Sequence, residues 1–167
     1  MILPFSTKIN GKPTFFVEKI QTALRLPYFK YSVGFHEGFV PPNFNFYVKS
    51  KCKPKIHTIR TDENDRWKAG ILIDFFINCR QKNMFRFAPR VPVVSVQKFQ
   101  IVYYDNTDTK WDIPHLKYAV RIDNRRLEPT DIEKLALNDG FGTIEAFFEY
   151  FNEDYVGKII HWTDFRY

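Results

Sequence analysis

A chain of 167 residues with 44% hydrophobic content is long enough to close one core and too short for two domains to be the default reading. Its 25 lysines and arginines against 19 acidic residues leave a formal charge of +6, a balance that suits phosphate-bearing partners. Two cysteines, Cys52 and Cys79, exclude a disulfide framework and lack zinc-site spacing, and no run reaches the roughly 18 apolar residues of a membrane helix.

The opening MILPFSTKI has no basic segment followed by a long apolar run, so a cytoplasmic protein with no membrane association is expected. Eighteen Phe and nine Tyr favour pleated, half-buried surfaces and hence a strand-rich or mixed fold. After a short extended start, Phe16, Val17, Ile20 and Leu24 recur at spacings of three and four, which predicts a helix with Thr14 as its N-cap. From about residue 27 to 50, Gly34, Gly38 and Pro41-Pro42 punctuate an aromatic-rich run that reads as an insertion or hairpin.

Three core strands are expected in GILIDFFINC, VPVVSVQKFQIVYYD and YAVRID, from their apolar runs and alternation. Thr130 and Glu133 have the spacing of a capping box, predicting a helix to about Leu137, with Asn138-Asp139-Gly140 as its breaker. Ile144, Phe147, Phe148 and Phe151 mark a second helix. Lys158 to Thr163 reads as a last strand, in which His161 and Trp162 point to opposite sides. No repeat or linker divides residues 1 to 167, so one domain is expected.

Two groups of residues bear on chemistry. Lys49, Lys51, Lys53 and Lys55 alternate, so an extended backbone would line them up on one side, about 7 Å apart. Such a ladder fits either an edge strand blunted by lysines or, with Phe44, Phe46 and Tyr47 just upstream, a track for single-stranded nucleic acid. The second group is KIHTIR, residues 55 to 60. Lys55 and Thr58 stand three apart, close enough in a turn for the amine to activate the hydroxyl if burial or a nearby cation lowers its pKa. Arg60 could be that cation or grip a phosphate or carbonyl. The motif is short, and on the residues alone a solvated turn accounts for it better than chemistry does. None of His36, His57, His115 and His161 has metal-ligand spacing to another candidate ligand, so neither metal nor cofactor is expected.

Lys55-Ile56-His57-Thr58-Ile59-Arg60, a polar loop, then Arg66-Trp67-Lys68-Ala69-Gly70 before a strand resembles the signature of the ASCH domain, a member of the PUA-like superfamily. The capped helix ending in Asn138-Asp139-Gly140-Phe141, the helix with Phe147 and Phe148, and the strand Lys158-Ile159-Ile160-His161-Trp162 follow in the same order. The resemblance spans roughly residues 50 to 163 and leaves the aromatic insertion without a counterpart. It implies an α+β fold, a small PUA-like open β-barrel flanked by helices, with a cleft for RNA or nucleotides.

Some similar bacterial members are amidohydrolases that deacetylate N4-acetylcytidine with a lysine, a threonine three residues later and a glutamate beyond the capped helix. By that resemblance Lys55, Thr58 and Asp139 are the candidate catalytic residues, Asp139 being one methylene shorter than the family's glutamate. His57, Arg60, Lys51, Lys53, Lys68 and Trp67 are candidate ligand contacts, although Trp67 also suits a packing anchor in its turn. Asn-Asp-Gly after a helix is in addition ordinary C-terminal turn chemistry. Three functions stay open: a nucleoside amidohydrolase, an RNA-binding module without catalysis, and a ribonuclease using His57 or His161. The oligomeric state is open, with a monomer as one reading.

Overall fold

The computed structural model describes residues 1–26, 39–104 and 117–167. Along them run β1 (Ile2–Phe5), β2 (Lys8–Ile9), β3 (Lys12–Pro13), α1 (Phe16–Ala23), α2 (Phe46–Lys51), β4 (His57–Arg60), β5 (Leu72–Ile77) and β6 (Phe85–Arg86). Then come β7 (Val91–Pro92), β8 (Ser95–Tyr103), β9 (Tyr118–Ile122), β10 (Arg125–Arg126), α3 (Pro129–Asn138), α4 (Ile144–Tyr150) and β11 (Tyr155–His161).

A five-stranded antiparallel sheet in the order β10-β9-β8-β11-β4 forms the centre. A second sheet pairs β1 parallel to β5, with β6 and β7 antiparallel to β5. The fold is α+β, and no closed barrel forms among the described residues.

Alternation along β11 builds two cores at once. Ile159 enters the one shared with Phe99, Ile101, Leu135 and Phe147, under α3 and α4. Ile160 and Trp162 enter the other, with Phe5, Phe16, Phe75 and Phe87. His161 and Trp162 therefore do point to opposite sides, His161 ending beside His57 with ring centroids 5.3 Å apart.

Several expectations change. Phe15, in the left-handed region at φ 53°, is the N-cap of α1. The Thr14 hydroxyl instead donates to Ser6 O at 2.7 Å and lies 3.4 Å from Phe16 N. The capping box does not form, because Pro129 takes the first turn of α3 behind Glu128, a position its fixed φ favours. Thr130 thus falls inside the helix. The long VPVVSVQKFQ run splits into β7, which pairs with β5, and β8, which pairs with β9 and β11.

The lysine ladder is also replaced. Asn45 caps α2 by accepting from Val48 N at 3.0 Å, so Lys49 and Lys51 lie on a helix. Residues two apart there point about 200° from each other. Lys49 turns inward and donates to Leu26 O at 2.8 Å, whereas Lys51 stays exposed against Tyr47. The remainder of the expected insertion, 27–38, lies outside the described residues, as do His36 and His115.

Candidate functional site

Residues 55–60 lie where three elements converge. Lys55 N donates to Lys19 O at 3.1 Å, tying the segment to α1, and Ile56 N donates to Asn138 O at 3.0 Å, tying it to α3. The chain then enters β4, the edge strand whose Thr58 pairs with Ile160. Helix α3 stops beside it in a Schellman turn. Gly140 N donates to Leu137 O, Phe141 N donates to Ala136 O, and Gly140 adopts φ 89°. A Cβ at Gly140 would sit 3.0 Å from both Lys55 Cδ and Phe16 Cε1, so the turn needs glycine for space as well as for φ.

Asp139, the C-cap of that turn, is the hub. Its Oδ1 accepts from Lys55 Nζ at 2.8 Å and from Ile59 N at 3.1 Å, satisfying a donor of the edge strand. His57 Nδ1 lies 3.4 Å away. The Lys55 ammonium also donates to the Asp139 carbonyl, and Lys19 donates to Gly140 O at 2.6 Å. Two ammonium groups thus meet the negative end of α3, as its dipole favours. Lys55 is 1% exposed and Asp139 4%, with the Lys55 amine 4.7 Å from the Phe16 ring centroid.

Burial lowers the Lys55 pKa to about 8 against the opposing pull of Asp139. Burial disfavours the Asp139 carboxylate, but the Lys55 charge and the hydrogen bond to His57 outweigh it, and the carboxyl stays below its usual range. Burial likewise lowers His57, and brings His161 down to about 3. Both imidazoles are therefore neutral at neutral pH.

The structure brings Lys55, His57 and Asp139 together, and these three and Thr58 are all buried. The shorter carboxylate reaches Lys55 because α3 ends directly against the segment. Lys55 spends its hydrogen bonds on Asp139 and makes none with Thr58. Thr58 lies on the face of β4 shared with Arg60. The Arg60 guanidinium donates to Pro4 O at 2.7 Å and stacks 5.2 Å from the Phe5 centroid, while its Nε is buried without a partner.

The other candidates lie elsewhere. Lys53 is exposed beyond α2, and Lys51 donates to Tyr47 Oη at 3.0 Å on that helix. Lys68 pairs with Asp65 at 3.7 Å on the surface. Trp67 is 6% exposed within the core, so it anchors its turn and offers no stacking face. The acidic run closes that same loop: Asp62 accepts from Arg66 N and Trp67 N, each at 2.9 Å, and pairs with Lys158.

Sequence reasoning missed Tyr167, Asn138 and Gln97. Tyr167 Oη lies 2.7 Å from His57 Nε2 and accepts from Asn138 Nδ2 at 3.0 Å. Its backbone exchanges two hydrogen bonds with the Gln97 side chain, at 3.0 and 3.2 Å. Nothing local marks Tyr167, which stands 110 residues from His57. Asn138 was visible, but only as part of a turn.

Lys55, Thr58 and Asp139 line neither of two prominent surface grooves. One, about 500 Å³, crosses the open face of the central sheet past Lys98, Gln100, Arg121, Asn124 and Lys158. The other, about 640 Å³, lies between the β2–β3 hairpin, the start of α1 and β6. Among the described residues no group of His, Cys, Asp and Glu could hold a metal ion, and no helix is long and apolar enough to cross a membrane. No family model, curated protein or solved structure matches this chain.

Proposed function

We propose that this chain is an ASCH-type protein of the PUA-like superfamily acting on RNA or a modified nucleoside, and that Lys55, Thr58 and Asp139 hydrolyse an amide such as that of N4-acetylcytidine. The observation that carries the reading is the buried Lys55–Asp139 pair at 2.8 Å, formed despite the shorter carboxylate. A lysine with pKa near 8 keeps about a tenth of its molecules neutral at pH 7, enough to act as a base.

In this reaction Lys55 takes a proton from a water, or from the Thr58 hydroxyl, as the oxygen attacks the amide carbonyl. The Arg60 Nε–H, otherwise unpartnered, donates to the resulting oxyanion. The proton passes from Lys55 to N4, the C–N bond breaks, and cytidine and acetate leave; after attack by Thr58, a water first releases the acetyl group. Asp139 holds the Lys55 amine in place throughout. Two unpaired thiols, Cys52 and Cys79, suit a reducing, cytoplasmic setting.

Incubation with N4-acetylcytidine, following cytidine by chromatography, tests this with Thr58→Val alongside. Thr58→Val keeps the shape of the side chain and spares the ion pair. Release by the wild type is expected; Thr58→Val lowers it at least a hundredfold where the hydroxyl attacks and leaves it standing where a water does. No release by the wild type would end the proposal for this substrate.

The groove on the central sheet, where Lys98 and Arg121 face Asp62 and Glu63 across it, favours a second reading, RNA binding without catalysis. There Lys98 and Arg121 contact phosphate, and affinity falls steeply with salt. The ribonuclease reading has less support, because His57 and His161 are both fully buried and neutral.

A further inference from the structure

Polar atoms buried without a partner are rare in folded proteins, and here several of them share one row of the central sheet. Register aligns Ser95, His161 and His57 as a single row across β8, β11 and β4. Ser95 Oγ and both His161 ring nitrogens are buried with no hydrogen-bond partner, while His57 Nδ1 faces the Asp139 carboxylate at 3.4 Å. His57 and His161 are each 0% exposed.

One side chain covers the row. The Tyr167 ring packs edge-on to His57 at 5.5 Å and tilted against His161 at 6.2 Å, with its hydroxyl between His57 Nε2 and Asn138 Nδ2. The space over the histidines is thus one six-membered ring in size, with polar groups at its rim. The segment that carries Tyr167 is irregular after β11, with Asp164, Phe165 and Arg166 exposed. Its backbone is held through Gln97.

We propose that Tyr167 occupies, and can vacate, a base-reading subsite for a neutral pyrimidine ring, whose edge is read by His161, Ser95, His57 and Asn138. The inference rests on the nucleoside reading above for its ligand class and places the base on the His57 face of β4, beside Asp139 and across the edge strand from Thr58 and Arg60. Neutral His161 offers one donor and one acceptor, His57 offers its Nε2 once Tyr167 leaves, and the serine hydroxyl offers both, matching the mixed edge of a pyrimidine. A phosphate is disfavoured here. The Asp139 carboxylate faces His57, the Lys55 ammonium is committed to Asp139, and Arg166, the cation that acts on His161, is largely exposed and pairs with Asp123 at 4.0 Å.

Cytidine titrations followed by the His161 ring NMR signals test the subsite, using wild type, Tyr167→Ala and Tyr167→Ala/His161→Phe. Removing the resident ring is expected to tighten cytidine binding at least tenfold and to move the His161 signals. Adding His161→Phe should reverse that gain at least tenfold, and ribose 5-phosphate should bind none of the three. If Tyr167→Ala unfolds, Gln97→Ala, which releases the backbone of the segment together with one hydrogen bond to Asp123, replaces it with the same expected direction.

Unchanged affinity in the opened variant, or a gain that survives His161→Phe, would overturn the inference and leave the row filled by ordered water. The two proposals fail separately. Turnover of N4-acetylcytidine without base binding at His161 removes only this one, and base binding at His161 without turnover removes only the amidohydrolase reading.

Discussion

Removing one charge from the Lys55–Asp139 pair should cost far more than removing both. Asp139→Asn keeps an oxygen for the Ile59 N–H but leaves a 1% exposed ammonium against Phe16 without a counter-charge. Breaking a buried pair from one side typically costs about 3–5 kcal/mol. For a chain of this size that is a fall in Tm of roughly 10 °C. Lys55→Met strands the carboxylate instead and should cost about as much. The double variant Lys55→Met/Asp139→Asn removes both charges, fills the lysine's space with an apolar chain and keeps the acceptor for Ile59. It should be more stable than either single variant, within about 2 kcal/mol of wild type. Urea unfolding of the four proteins at pH 7 gives the cycle directly. Single losses below about 1 kcal/mol, or losses that simply add in the double variant, would show that the pair is neither buried nor coupled as described.

Further outcomes follow from the same geometry. Because the folded pKa of Lys55, about 8, lies below its ordinary 10.5, the unfolded chain binds more protons between those values; stability should therefore rise with pH from about 8 toward 10, and Lys55→Met should flatten that rise in pH-dependent unfolding. Gly140→Ala forces an L side chain to φ 89° and against Lys55 and Phe16, and should cost about 2 kcal/mol in urea unfolding. Thr143 caps α4 by accepting from Ala146 N at 3.2 Å, so Thr143→Ala should lower stability by about 1 kcal/mol in the same measurement. If the groove on the central sheet carries RNA, Lys98→Ala/Arg121→Ala should weaken binding and reduce the salt slope by about 2 in fluorescence anisotropy; an unchanged slope would remove that reading.

The parts of the molecule legible in the sequence are those where one local cause decides. The apolar face of α1, the stop at Asn138-Asp139-Gly140 and the alternation that splits His161 from Trp162 all fall where spacing places them. Where two local causes compete, the reading failed. Proline at the first turn of α3 overrode the Thr130–Glu133 spacing, and Asn45 capping α2 overrode the alternation of the lysines. Lys55, Thr58 and Arg60 stood out as a short motif, and Asp139 was joined to them only through the resemblance. Lys55 and Asp139 stand 84 residues apart, and nothing near either residue announces that both will be buried. The histidine row was out of reach for the same reason, since its register depends on three strands meeting and its cover comes from Tyr167.

The pH dependence of cytidine release from N4-acetylcytidine reads the protonation of Lys55 during turnover. With Lys55 as the base, kcat/KM rises nearly tenfold per pH unit up to about 8, then levels. A profile flat from pH 6 to 9, or no release at any pH, would contradict that role.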